Sequence, residues 1–292
     1  MAIDYLQDRI RKLKNPSVID FNVLPEHIPP HIQERDSFFV SAYEYFSAEL
    51  LQGLKDVVPA VRFSLSMMSL YGADGMVALS KLLRTAKELG YYVLLDCPDA
   101  KNPLDARRNV DILLSDQCEF VYDGLVINAY IGSDALRPYC ESMKQAEKDL
   151  FVLVRTPNKS ASELQDLLTG SRHVHLATAD VISRFSEIYL GKCGYSNVAA
   201  VLAANAPSGI QILRNKHRSM FLLVDGYDYS NANAKNCSGA FDRLGHGAVV
   251  CAGTSVTAAW QENPVDARDF VALAVESAQR MKKNITRYIT IL

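Results

Sequence analysis

Eight short apolar runs, each followed by a longer stretch of helical period, constrain this chain more than any other feature. They are SVIDF from Ser17, AVRFSL from Ala60, YYVLLD from Tyr91, GLVIN from Gly124, LFVLVR from Leu150, NVAAVLA from Asn197, MFLLVD from Met220 and GAVVC from Gly247. Runs this rich in Val, Ile and Leu suit strands buried on both faces, as in a parallel sheet covered by helices. Between two of them, GMVALSKLLRTAKELG places Met76, Leu79, Leu82, Leu83 and Ala86 at spacings of three and four, with Gly90 as the stop. No Pro/Ser-rich linker, repeat or low-complexity tract divides the chain. Eight strand-helix pairs in 292 residues predict an α/β protein, a single (β/α)8 TIM barrel over residues 1–292, in preference to an open doubly wound sheet. Residues 1–16 are expected to form a helix outside or across the N-terminal end of the barrel, and 264–292 a closing helix and tail.

Charge and cysteine content exclude several function classes. With 31 Lys and Arg against 33 Asp and Glu, the net charge of -2 gives no electrostatic reason to propose nucleic acid or an anionic membrane as partner. Any phosphate ligand must then be held by local groups. The cysteines at 97, 118, 140, 193, 237 and 251 form no C-x-x-C pair, which reads as reduced thiols and as neither a disulfide nor a zinc framework. The opening MAIDYLQDRIRKLKN has charges every few residues and no long apolar run, so a cytoplasmic location is expected. His173 and His175 lack further ligands nearby and read as surface or core histidines. RNKHR (214–218) reads as a basic helix C-terminus, and YGADG (71–75) as a strand-to-helix turn.

In a (β/α)8 barrel the chemistry sits at the C-terminal ends of the strands. The third run ends there in DCPDAKNPLD, which makes Asp96, Asp99, Lys101 and Asp105 the catalytic candidates, with a solvated ion-pair network as the plain alternative. The aromatic pair Tyr227 and Tyr229 could stack on a ring or could be ordinary loop tyrosines.

Several segments in order, NAYIGSDALRPY (128–139), FVLVRTPNKSASELQDL (151–167), YLGKCGYSNVAAVLAAN (189–205), FLLVDGY (221–227) and HGAVVCAGTSVTAAW (246–260), resemble the orotidine 5'-phosphate decarboxylases, specifically their longer bacterial subgroup. The resemblance runs from about residue 3 to 288. It implies a barrel of pyrimidine (UMP) biosynthesis, a lyase needing no metal or cofactor, in which a lysine among aspartates stabilises a carbanion and then protonates it. It also implies a dimer, with a partner aspartate borrowed across the interface.

The implied site is altered in this chain. The family's D-x-K-R-x-D motif aligns with Asp96-Cys97-Pro98-Asp99-Ala100-Lys101, so proline replaces the lysine and a lysine replaces the second aspartate. A shifted register, Asp99-Ala100-Lys101 with Asp105, would restore a lysine. The strand-one aspartate falls nearest Asn22, with Asp20 two residues away, and the strand-two lysine corresponds to Arg62. The pyrimidine-reading serine corresponds to Pro157, beside Asn158. The glycine-rich phosphate loop becomes DGYDYSNAN (225–233), keeping Gly226 next to Tyr227 but placing Asp225 and Asp228 beside the expected phosphate, and the phosphate arginine falls at Thr254. The substrate-binding candidates are therefore Asn22, Arg62, Asn158, Gly226, Tyr227 and Thr254, with a nucleotide-like small molecule as ligand. Two classes follow. One is a barrel without catalysis that acts as a binding or partner subunit, in a homodimer or a heterodimer with an active relative. The other is an enzyme, either the decarboxylase using Lys101 or a lyase on another substrate.

Overall fold

The computed structural model describes residues 1–35, 38–229, 232–262 and 264–292. Eight parallel strands close into a barrel: β1 (Ser17–Asp20), β2 (Ala60–Ser64), β3 (Tyr92–Asp96), β4 (Gly124–Asn128), β5 (Asp149–Leu153), β6 (Val198–Ala203), β7 (Leu222–Asp225) and β8 (Ala248–Ala252). Each lies within one of the eight apolar runs or overhangs it by a single residue, and β1 pairs with both β2 and β8 to close the ring. A two-stranded hairpin, Leu168–Thr169 with Arg172–His173, is inserted between β5 and β6. The fold is the TIM barrel that the alternation predicts.

Strand periodicity divides the apolar residues into two layers. Ile19, Val61, Phe63, Val93 and Leu95 face outward and pack under the helices. Val18, Ala60, Tyr92, Leu94, Phe151, Phe221, Leu223 and Val249 fill the interior. Tyr92, Phe151, Phe221 and Tyr195 meet edge to face there, with centroids 5.9 to 6.4 Å apart. The helix Ala2–Leu13 lies across the N-terminal end and seats the fully buried Ile3, Leu6 and Ile10 on that interior layer. At the other terminus a 3-10 turn (Pro264–Asp269) leads into the helix Phe270–Thr286.

Smaller features have local causes. The helix predicted from GMVALSKLLRTAKELG spans Gly72–Glu88 and stops before Gly90, whose φ of 82° is left-handed. It begins inside YGADG, so that turn is shorter than its sequence suggests. A Cβ on Gly75 would lie 2.1 Å from the Met68 carbonyl oxygen, and only glycine allows that approach. In RNKHR, Arg214 is buried and donates to the carbonyls of Ala240, Arg218, Met220 and Gly247, tying several loops together. His175 is buried, stacks on His173 and meets the Gln165 carbonyl at 2.9 Å. All six cysteines are free thiols. Among the described residues no helix is long and apolar enough to cross a membrane.

Candidate functional site at the barrel mouth

The inward positions that carry Val18, Ala60, Leu94 and Leu223 deep in the barrel carry Asp20, Arg62, Asp96 and Asp225 two residues further on, at its C-terminal mouth. Asp20 and Arg62 are register partners on adjacent strands, so their side chains share the inner face. The Arg62 guanidinium is the hub. It donates to both carboxylate oxygens of Asp96, at 2.9 and 2.8 Å, in the paired geometry that suits its planar fork. Its third edge donates to Asp225 at 3.0 Å and lies 3.9 Å from Asp20.

Three carboxylates around one guanidinium leave an excess of negative charge in a half-enclosed place. Burial, offset by Arg62 and reinforced by Asp96 and Asp225, pushes Asp20 up to about 7. Asp96 is also raised, by burial first and against the pull of Arg62. Burial works against the Arg62 charge, yet the surrounding aspartates hold it well above its ordinary value. Near neutral pH Asp20 therefore takes up a proton far more readily than an exposed aspartate does.

A cavity of about 730 Å3 opens over this cluster between β1, β2, β5, β7 and β8. Of the sequence-derived candidates, Asn22, Arg62, Asn158, Gly226 and Thr254 line it, as do Pro157, Asp20, Asp225 and Asp228. Gly226 is fixed by geometry: its φ is 80°, and a Cβ would lie 2.4 Å from that of Pro157. Tyr227 is not among the lining residues; it turns away, to the outside of the same loop. Ser230 and Asn231 of DGYDYSNAN lie outside the described residues.

The loops after β7 and β8 are where barrels commonly hold phosphate. Here a carboxylate of the chain itself holds that place. Asp228 accepts from the Gly253 backbone N–H at 2.6 Å and from the Ser255 hydroxyl. Two polar hydrogens that could meet a phosphate oxygen thus already have an anionic partner.

The strand-three loop separates its candidates. Asp96 and Asp99 line a smaller recess of about 220 Å3 on the other side of Arg62, with Asn128. Pro98 lines neither cavity, and its carbonyl accepts from Asn109 Nδ2 at 3.1 Å. Lys101 is exposed and lines neither. Asn102 caps the helix Pro103–Leu113, its Oδ1 accepting from the Asp105 N–H at 3.0 Å, while one Asp105 carboxylate oxygen accepts from the Lys101 N–H and the Asn102 side-chain amide. The geometry brings Asp96 and Asp99 to the mouth, and leaves Lys101 and Asp105 at a helix start.

Asp20, Asp225 and Asp228 are the residues that the candidate set lacks. Strand parity could have found the first two, since each sits two positions beyond an interior apolar residue. Among the described residues no three His, Cys, Asp or Glu side chains are arranged to hold a metal ion.

A closed (β/α)8 barrel with charged residues gathered at the C-terminal ends of β1, β2, β3 and β7 defines the class of the molecule. Along nearly its whole length the chain is similar in sequence to orotidine 5'-phosphate decarboxylases, the family that the sequence segments resemble. It is 24% identical over 288 residues to that enzyme of Petrotoga mobilis, covering 98% of each chain. It is 25% identical over 291 residues to the one of Clostridium acetobutylicum, covering 98% of this chain and 99% of the other. Over 232 residues it is 28% identical to that of Rhodopirellula baltica, covering 78% and 77%. The fold is shared with the orotidine 5'-monophosphate decarboxylase of Plasmodium berghei, at a TM-score of 0.79, 15% identity and 98% and 97% coverage. It is also shared with the OMP decarboxylase of Leishmania donovani, at 0.70, 20%, 97% and 98%. No protein-family profile matches the chain.

Proposed function

We propose that this chain is an orotidine 5'-phosphate decarboxylase-like barrel that no longer decarboxylates orotidine monophosphate and serves in the cytoplasm as a binding or partner subunit. The observation that carries this reading is Asp228, whose carboxylate takes the Gly253 N–H and the Ser255 hydroxyl at the loops where a phosphate would dock. A dianion there would face Asp228 and Asp225, and unit charges about 4 Å apart repel by roughly 4 kcal/mol at a surface-like dielectric. Arg62, the cation lining the cavity, is already bound by Asp96 and Asp225. Two further losses support the reading. Proline stands at position 98, where the family resemblance calls for the proton-delivering lysine, and Pro157 offers no hydroxyl to a pyrimidine. Binding energy on a remote phosphate lowers the barrier of such a reaction, so its loss reduces turnover as well as affinity.

As a partner subunit the chain would form a homodimer, or a heterodimer with an active relative, through the face bearing the loops after β2 to β4. Light scattering at micromolar concentration, alone and mixed with an active decarboxylase, tests that part.

Asp20 favours a second reading. Pushed up to about 7, it is an acid that holds its proton near neutrality and faces a cavity of about 730 Å3. A lyase acting on a less anionic substrate could draw on it as proton donor. The shifted-register decarboxylase has less support, because Lys101 is exposed beyond both cavities.

The test is an absorbance assay of orotidine monophosphate with purified protein. No turnover is expected. Turnover abolished by Lys101→Ala would replace the inactive-subunit reading with the shifted register, and turnover abolished by Asp20→Asn would favour the acid.

A further inference from the structure

The loop between β7 and the short helix Ala234–Ser238 has two sides of opposite character. Its inner side contributes Asp225 and Asp228 to the mouth. Its outer side forms one wall of a separate cavity of about 430 Å3, whose other wall is the end of the helix Phe270–Thr286. That volume lies within the roughly 300–1,000 Å3 usual for small-molecule sites. Lys235 and Arg287 line it, no Asp or Glu does, and neither cation has an ion-pair partner among the described residues. On a chain with net charge -2, two unpaired cations sharing one recess depart from the average surface.

The remaining lining adds a ring surface and amide donors. Tyr227 is half-buried against the main core and bonded to Asn284, so its ring is held in place. Tyr288 is 52% exposed at the rim. Asn233 spends its side-chain oxygen on the Asn236 N–H, at 2.9 Å, which leaves its NH2 group to donate.

We propose that this outer cavity is a binding site for a planar-ring ligand bearing a phosphate or carboxylate, with Lys235 and Arg287 on the anionic group and Tyr227 and Tyr288 on the ring. Arg287 supplies a planar fork and Lys235 a point charge, the pairing by which proteins hold phosphate monoesters. Tyr227 lies between Gly226 and Asp228 in the chain, and its N–H donates to the Cys251 carbonyl at 3.1 Å. A ligand on the outside therefore touches the segment that shapes the mouth.

Calorimetric titration of the full chain with uridine monophosphate, adenosine monophosphate, the two parent nucleosides and inorganic phosphate tests the site. Both monophosphates are expected to bind more tightly than phosphate or nucleoside, and rising salt is expected to weaken them. Lys235→Ala with Arg287→Ala should weaken the monophosphates by about tenfold or more. Tyr288→Ala is expected to weaken them by about threefold or more while leaving inorganic phosphate unchanged. Absence of binding up to millimolar concentration would overturn the proposal and leave the reading of the mouth intact. Binding that survives the double substitution would overturn it too and, by pointing to the mouth, would also count against the reading of the mouth, so the failure of the proposal alone is distinguishable from the failure of both.

Discussion

At its N-terminal end the barrel is closed by Ile3, Leu6 and Ile10 of a crossing helix, while at its C-terminal mouth the same inward positions carry Asp20, Arg62, Asp96 and Asp225. The closed end draws on burial of apolar area, which is non-directional and insensitive to pH. The mouth depends on one guanidinium holding several carboxylates together, an arrangement that is strong only while every partner is present. The two ends therefore differ in how their stability depends on pH, and only the mouth has chemical character. The mouth of this chain is occupied by its own residues: aspartates surround Arg62, and Asp228 takes donors of the β8 loop.

Removing the hub should have the largest effect. Arg62→Met leaves Asp20, Asp96 and Asp225 facing one another, and is expected to cost about 3–5 kcal/mol near pH 8. The cost should shrink toward pH 5, where the carboxylates take up protons. Urea unfolding at the two pH values measures both. At the other end Leu6→Ala should cost about 3 kcal/mol by leaving a cavity under the crossing helix, equally at both pH values. A pH-dependent loss for Leu6 or a pH-independent one for Arg62 would break the contrast.

Asp20 gives the next effect. Its folded value of about 7 lies above its ordinary 3.8, so the folded state binds the extra proton. Its contribution to stability is complete below about pH 4 and is lost as pH rises through 7. Between pH 5 and 8 this amounts to a fall on the order of 2 kcal/mol. Asp20→Asn should flatten that part of the profile. A residual slope is expected from Asp149, which is raised well above its ordinary value by burial beneath the closed end, where it accepts from the Tyr92 hydroxyl at 2.7 Å. The smallest effect concerns the β8 loop. Ser255→Ala removes one of the two donors to Asp228 and should cost about 1 kcal/mol in thermal unfolding.

The strands were legible because each is buried on both faces and therefore reads as a continuous apolar run; GLVIN matches β4 at both ends. The crossing helix was legible from its charged and apolar spacing. The mouth was only half legible. Arg62, Gly226 and Thr254 were found because the family resemblance points to them, and Asp96 because it ends a strand in a charged loop. Asp20 was passed over for Asn22, although parity with Val18 places Asp20 inward, and the Asn22 N–H merely donates to it. Asp105 and Lys101 looked catalytic because a capped helix start and an active-site loop share the same residue types. Only the course of the chain separates those two uses. The loop after β7 placed Asp228 beside the expected phosphate, but its partners Gly253 and Ser255 were beyond reach, since they lie 25 and 27 residues away.

The central claim is that the mouth excludes a phosphate dianion because the chain supplies its own counter-groups. Calorimetric titration of uridine monophosphate into Lys235→Ala/Arg287→Ala protein, which silences the outer cavity, tests it most directly when repeated with Asp228→Ala and Thr254→Arg added. Opening the β8 loop and placing an arginine there should create measurable affinity where the parent shows none. Tight binding by the parent, with Asp228 and Thr254 unchanged, would contradict it.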